Sequence, residues 1–199
     1  MSHYFTDNRD LEKNRKEHSF RFSGRLYTFI TDNGVFSKKG VDYGTRALLE
    51  ALEGETLRGP ILDLGCGYGA VGIVMKSEYP AERVVCADIN PRAAELTEEN
   101  CRLNRAECEV YVSDGFAQLE CSFRTIITNP PIRAGKAVIY RLFEESFAHL
   151  EKDGVLYVVI RKQQGAESAV RKLTEIFGNC ERLEQNKGYW ILKSIKLTY

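Results

Sequence analysis

Asn129 stands directly before two prolines, in Thr128-Asn129-Pro130-Pro131-Ile132-Arg133, and directly after the β-branched run FRTIIT. Proline has no N–H to give to a ladder and pushes the residue before it out of the helical region. The strand must stop at Asn129, and a stiff extended loop then presents one amide side chain, an arrangement suited to holding an acceptor. A second group looks like a ligand cradle. Asp63-Leu64-Gly65-Cys66-Gly67-Tyr68-Gly69-Ala70 puts three glycines between a predicted strand and a predicted helix. Such a turn lets a ligand approach the backbone N–H groups at the start of the helix. Two further acids end strand-like runs, Asp88 in RVVCADI and Asp114 in Ser113-Asp114-Gly115-Phe116. A carboxylate after a second strand can take both hydroxyls of a ribose, and one after a third lies where an adenine amine could donate to it. The glycine turn also fits G-x-G-x-x-A, the dinucleotide-binding pattern. A hydride-transfer enzyme, however, has no use for Asn-Pro-Pro.

These residues need elements to position them. From Pro60 onward strands and helices alternate. The strands are PILDLG, RVVCADI, CEVYVSD, FRTIITN and GVLYVVIRK, and the helices span Ala70 to Tyr79, Pro91 to Asn104 and Lys136 to Glu151. Asn90-Pro91 reads as an N-cap followed by proline at the first helical position. Near-continuous apolar strands alternating with helices predict an α/β fold, a mostly parallel sheet with helices on both faces. A further helix from Ala166 to Phe177 precedes two strands that turn at Lys187-Gly188, so one strand is expected to enter antiparallel. Ahead of this region, Ser19 to Phe22 and Arg25 to Thr31 predict a hairpin, closed by a turn at Asp32-Asn33-Gly34. An amphipathic helix carrying Ala47, Leu48, Ala51 and Leu52 follows it. The division expected is residues 1–58 as an N-terminal segment, hairpin and helix, and residues 59–199 as the ligand-binding domain.

The 199 residues suffice for one sizeable core. Lys+Arg and Asp+Glu balance at 28 each, so a nucleic-acid partner would have to be met by a local patch. The polar N-terminus does not read as a signal peptide, and no apolar run approaches a membrane span. The six cysteines lack any C-x-x-C pair and read as reduced core or near-core thiols of a cytoplasmic protein. The three histidines lack metal or triad spacing. No metal site is expected, and nothing in the pattern assigns an oligomeric state.

DLGCGYG, ADIN, SDGF and NPPI occur in the order and at the spacing of the class I S-adenosylmethionine-dependent methyltransferases, which this sequence resembles from about Gly34 to its end. The resemblance implies a Rossmann-like, seven-stranded sheet with one antiparallel strand. It also implies S-adenosyl-L-methionine as cofactor, whose activated methyl requires only in-line positioning and an available lone pair on the acceptor. Gly65, Gly67 and Gly69 would shape the pocket for its methionine part and ribose, with Asp63 orienting the turn and the ammonium. Asp88 would hold the ribose hydroxyls. Asp114 and Gly115 would face the adenine, with Ile89 or Phe116 packing on the ring. The Asn129 side-chain oxygen and the Pro130 carbonyl would hold the two N–H groups of a planar amine and turn its lone pair toward the methyl.

In that family Asn-Pro-Pro marks enzymes acting on adenine N6, guanine N2 or a glutamine side chain of release factors. GVFSKKGVDYGT and NPPIRAGK are similar to a single-domain branch of the small-subunit ribosomal RNA guanine-N2 methyltransferases (RsmC-like). The acceptor this implies is a guanine amine in ribosomal RNA or a ribosomal subunit, with Phe36, Lys38, Ile132 and Arg133 on the substrate side. Two departures stand out. Ile132 replaces the aromatic residue common after the prolines, and the chain carries one methyltransferase-like half where larger members carry two. RNA contact would rest on the N-terminal segment, where residues 1–46 hold nine Lys/Arg against six Asp/Glu. Arg133, Lys136, Arg141, Arg161 and Lys162 would add charge after strands four and five. The alternatives are a protein-glutamine methyltransferase, a small-molecule amine methyltransferase, or a non-catalytic S-adenosylmethionine-binding subunit of a partner.

Overall fold

The structure, a computed structural model, describes residues 14–35, 37 and 39–197. Phe36 and Lys38, two of the residues expected on the substrate side, lie outside the described residues. An antiparallel hairpin comes first, β1 (Lys16–Phe22) and β2 (Arg25–Thr31), followed by α1 (Tyr43–Leu52). The alternating region then runs β3 (Ile61–Leu64), α2 (Ala70–Glu78), β4 (Val84–Asp88), α3 (Pro91–Asn104), β5 (Glu109–Val112) and β6 (Phe123–Thr128). It continues as α4 (Lys136–His149), β7 (Leu150–Arg161), α5 (Ala166–Phe177), β8 (Glu181–Asn186) and β9 (Tyr189–Ile195).

Seven strands form one sheet in the order β5-β4-β3-β6-β7-β9-β8. All pair parallel up to β7, and β9 enters antiparallel between β7 and β8. This is the seven-stranded, mostly parallel Rossmann-like sheet that the resemblance implies. Strand order reverses between β3 and β6, so their carboxyl ends open the crevice where ligands bind in such sheets. Register places Leu64 beside Thr128, and the Thr128 hydroxyl donates to the Leu64 carbonyl at 2.8 Å. The glycine turn and Asn129 therefore leave neighbouring strands side by side.

Strand alternation divides the core into two layers. Ile61, Ile127, Tyr157, Val159 and Ile191 face the hairpin, α1, α2 and α3. Leu62, Leu64, Ile126, Leu156, Val158 and Leu192 face α4 and α5. The first cluster joins the hairpin and α1 to the region after Pro60, across the change in sequence pattern near residue 58.

The hairpin is attached through polar side chains. Asn100 accepts from Ile30 N–H at 2.7 Å and donates to Ile30 C=O at 3.0 Å, and Asn104 does the same for Thr28 at 3.0 and 2.8 Å. Four residues of helix rise about 6 Å and two residues of strand about 6.8 Å, so amides at i and i+4 match every second residue of an edge. The two asparagines act as a substitute strand and leave these β2 groups satisfied. Asp32, in the turn after β2, is buried against Arg92 at 2.7 Å. Burial pushes the Asp32 carboxyl up, but the Arg92 guanidinium and the N–H groups of Asn14 and Asn33 outweigh it and hold it below its ordinary range.

Three expectations shift in detail. The helix expected over Lys136 to Glu151 ends at His149, and Leu150, inside that span, caps it and begins β7. β7 is accordingly longer than GVLYVVIRK, and its register against β6 shifts between Phe123 and Thr125. β5 is shorter than CEVYVSD, at four residues. Among the described residues, no helix is long and apolar enough to cross a membrane, and no cluster of His, Cys, Asp and Glu is arranged to hold a metal ion.

Candidate active site

The three glycines of the turn have separate reasons to be there. Gly65 and Gly67 hold φ of +74° and +59°, and a Cβ built on either meets nothing within 4 Å. Both α-carbons thus border open space at the mouth of the crevice. Gly69 holds φ +89° as the N-cap of α2, and its Cβ would stand 2.8 Å from Thr97 Cγ2. Its bareness serves the packing of α2 on α3. Tyr68 between them is buried, with its ring 5.7 Å from Phe29, and anchors the turn in the core. Thr97 Oγ1 donates to the Gly67 carbonyl at 3.0 Å, and Asn100 Nδ2 donates to the Tyr68 carbonyl at 2.9 Å.

Asp63 is buried beneath this turn and accepts from Gly72 N–H at 2.8 Å. Burial, only partly offset by that bond, pushes its carboxyl from 3.8 up to about 7. The contact found for Asp63 is with the first turn of α2. Asp88 sits beside the turn. Its Oδ2 accepts from Gly67 N–H at 2.8 Å and its Oδ1 from Asn90 N–H at 2.9 Å. Burial raises its pKa against the pull of those two N–H groups. Each oxygen keeps a lone pair beyond these bonds, so the carboxylate can accept from a further donor.

The next strand end is more open. Asp114 Oδ1 lies 2.6 Å from Arg141, which also holds Glu145 at 3.0 Å. Arg141, expected among the cations near the acceptor, is thus engaged beside Asp114. Gly115 holds φ +57°, and a Cβ there would run into the end of the Glu145 side chain, which would have to shift. Phe116 is buried in the second core layer and stacks on His149, with ring centroids 4.4 Å apart. Ile89 is 41% exposed. Of the two side chains expected to pack on an adenine ring, Ile89 is the one that faces outward.

At the end of β6 the structure adds two residues that sequence reasoning missed, Thr45 and Asp42. Asn129 Nδ2 donates to Thr45 Oγ1 at 3.1 Å, and the Thr45 hydroxyl donates to Asp42 Oδ1 at 2.6 Å. Asp42 is the N-cap of α1, its other oxygen accepting from the N–H groups of Gly44 and Thr45. The directions are fixed by counting protons. A hydroxyl has one, and Asp42 takes it, so Thr45 can only accept from Asn129. The NH2 end of the Asn129 amide is thereby committed to α1, and the carbonyl end is turned away from it. An aspartate N-cap signal in Asp42-Tyr43-Gly44-Thr45 was available in the sequence. Nothing there links it to a loop more than eighty residues on. Pro130 is buried, and Ile132 is half-buried against the second core layer at the start of a 3-10 turn, Ile132–Ala134. Arg133 in that turn is exposed.

The crevice thus combines an open glycine turn, a carboxylate tied to that turn and an oriented amide on the neighbouring strand end. Comparison with known proteins places it. The methyltransferase small domain matches residues 26–193. YbxB of Bacillus subtilis (strain 168), described as uncharacterized, is 41% identical over 198 residues, 98% of each chain. Among solved structures, the Thermus thermophilus 16S rRNA N2 G1207 methyltransferase (RsmC), in complex with AdoMet and guanosine, is similar with a TM-score of 0.83 and 30% identity. That match covers 92% of this chain and 50% of that one, so the chain spans half the length of this neighbour. A methyltransferase from Pyrococcus furiosus shares the fold at a TM-score of 0.67 and 20% identity, over 83% of this chain and 91% of that one. The chain belongs to the methyltransferase small domain family and is an S-adenosylmethionine-dependent methyltransferase of the class I fold.

Proposed function

We propose that this enzyme methylates a planar exocyclic amine, guanine N2 in RNA, and that the RNA is ribosomal. The observation that carries the reading is the Asn129 amide, locked by Thr45 so that its oxygen is left for an acceptor N–H. S-adenosylmethionine, when bound, supplies a methyl group already activated on a sulfonium. Gly65 and Gly67 fit such a donor because their bare α-carbons border open space that a Cβ would fill. In this reading Asp88 accepts from the ribose hydroxyls while bracing the turn through Gly67 N–H. Asp114, Gly115 and Ile89 border the adenine, Phe116 backs that wall from the core, and Asp63 sets the start of α2.

The work left to the chain is orientation. Asn129 Oδ1 and the Pro130 carbonyl each accept one N–H of the amine, which holds the nitrogen with its lone pair facing the donor side. As positive charge develops on that nitrogen, the same two oxygens stabilise it without reorganising. Ile132 packs against the base and Arg133 borders the approach, while Phe36 and Lys38, outside the described residues, are assigned to the substrate side by the sequence resemblance alone. A base paired in a duplex cannot present its amine in line, so the target is flipped or single-stranded. Guanine in RNA is favoured over a protein glutamine by the likeness to the 16S rRNA N2 G1207 methyltransferase and by the missing aromatic after the prolines. Residues 1–58 form the segment that adds substrate contacts, and residues 59–199 the donor-binding domain.

The test is transfer of labelled methyl to unmodified ribosomal RNA, ribosomal subunits and a protein extract in parallel, followed by digestion to nucleosides and amino acids. Label in N2-methylguanosine is the expected result. Label in glutamine would replace this reading, and tight donor binding with no label anywhere would make the chain a partner's binding subunit.

A further inference from the structure

Beyond the acceptor hook, the same sheet edge carries two tyrosines and three exposed cations. Arg161 ends β7 and pairs with Tyr189, the first residue of β9, and Lys162 N–H donates to the Gly188 carbonyl at 2.7 Å. The β8–β9 turn is therefore tied to the carboxyl end of β7, beside the carboxyl end of β6 where Asn129 stands. Tyr43 opens α1, and its ring lies 5.6 Å from that of Tyr189 at an interplanar angle of 46°. Lys187 Nζ sits 4.8 Å over the Tyr43 ring, and the Arg161 guanidinium 5.8 Å over the Tyr189 ring. Both rings are half-buried against the first core layer, and Arg161, Lys162 and Lys187 are exposed.

This patch is built. A Cβ on Gly44 would stand 2.8 Å from Tyr189 Cε1, so only glycine lets that ring seat against the start of α1. The next residue, Thr45, holds the Asn129 amide. Aromatic seat and acceptor hook are thus placed by one turn of one helix. We propose that Tyr43 and Tyr189, with Arg161 and Lys187, form a docking subsite for the single-stranded ribonucleotide segment flanking the target base. The rings stack on a neighbouring base and the cations meet its phosphates, a pairing that suits nucleic-acid strands without reading their sequence. It also supplies the local positive patch that a chain of zero net charge needs for such a partner. One cation thus sits over each ring. The proposal rests on the RNA reading above and extends it from the base to its neighbour.

The experiment measures binding of a fluorescent single-stranded pentaribonucleotide with a central guanosine, with the demethylated product S-adenosylhomocysteine present in place of the donor, to wild type, Tyr189→Leu and Lys187→Ala. Loss of a stacking contact should weaken oligonucleotide binding about 5- to 100-fold in Tyr189→Leu. Lys187→Ala should lower the steepness of the salt dependence by about one phosphate contact. Donor affinity, measured alone, should stay at the wild-type value in both and certifies folding. Lys187 lies on an exposed turn, so its variant keeps the question answerable if Tyr189→Leu fails to fold. Unchanged oligonucleotide affinity and salt slope would overturn the proposal. So would retained RNA binding alongside lost methyl transfer to a protein acceptor, which would assign the patch to a polypeptide. Because binding is read without turnover, absence of methyl transfer to guanosine in wild type would refute the acceptor reading and leave the subsite decided by the binding data.

Discussion

The lock on Asn129 can be tested by removing a single oxygen. Thr45→Val keeps the shape of a buried side chain and leaves in place both N-cap bonds that Asp42 Oδ2 accepts from the N–H groups of α1. It removes the acceptor that fixes the Asn129 NH2 group. A neutral hydrogen bond contributes about 0.5–1.5 kcal/mol net, and a partner left unsatisfied costs about 1–3 kcal/mol. The amide then loses its preference for the productive orientation, and a flipped amide points N–H groups at an amine that needs acceptors. A loss of about 1.4–2.7 kcal/mol in transition-state stabilisation is a fall in kcat of about 10- to 100-fold. Single-turnover methyl transfer reads this directly, and equilibrium binding of S-adenosylmethionine should stay within about twofold, since no atom of the glycine turn or Asp88 is touched. Thr45→Ser, which restores the hydroxyl, should recover most of the rate. A Thr45→Val enzyme with wild-type kcat would refute the orientation argument. Equal losses in Thr45→Val and Thr45→Ser would trace the effect to α1 packing instead.

Three further outcomes follow from the same geometry. Asp63, raised from 3.8 to about 7, keeps in the folded state a proton that the unfolded chain gives up. Its contribution is fully present below pH 4 and lost as pH rises to 7, about 4 kcal/mol by this group alone, and Asp63→Asn should flatten that slope in denaturation curves recorded across the window. Arg92→Met leaves Asp32 buried and unpaired and should cost about 3–5 kcal/mol in urea unfolding, with Asp32→Asn/Arg92→Met recovering much of it. The glycines should separate: Gly69→Ala meets Thr97 and should lower Tm, whereas Gly67→Ala should lose donor affinity about tenfold, about 1.4 kcal/mol, with a smaller change in Tm.

The elements that carry the donor side were legible because they sit at strand ends. An apolar run followed by glycines, or by Asn-Pro-Pro, announces both the strand and where it stops. β7 and α4 met at the wrong residue because Leu150 suits a helix face and a strand equally, and periodicity has no means of choosing. Nothing local marks Asn100 and Asn104, four residues apart on one helix, as buried side chains. A buried polar side chain needs a partner, and theirs is a backbone edge seventy or more residues away. Arg141 read as a spare cation for the same reason, since its partner Asp114 belongs to another strand end. Thr45 and the Tyr43–Tyr189 pair depend on α1 crossing β7 and β9, a fact of topology that no local window contains.

Asn100 has a consequence beyond attachment. One amide nitrogen donates both to Ile30 in the hairpin and to Tyr68 in the turn, and one helix turn earlier Thr97 holds Gly67. Whatever stiffens the turn must therefore stiffen the hairpin, because the same side chain is shared. Thermodynamic reciprocity then requires that a ligand on β2 change donor affinity by the factor by which the donor changes its own. The amides of Thr28 and Ile30, far from the methyl, become reporters of the methyl donor. Their hydrogen exchange should slow when it binds, and the hairpin serves as a second gauge of the first site's occupancy.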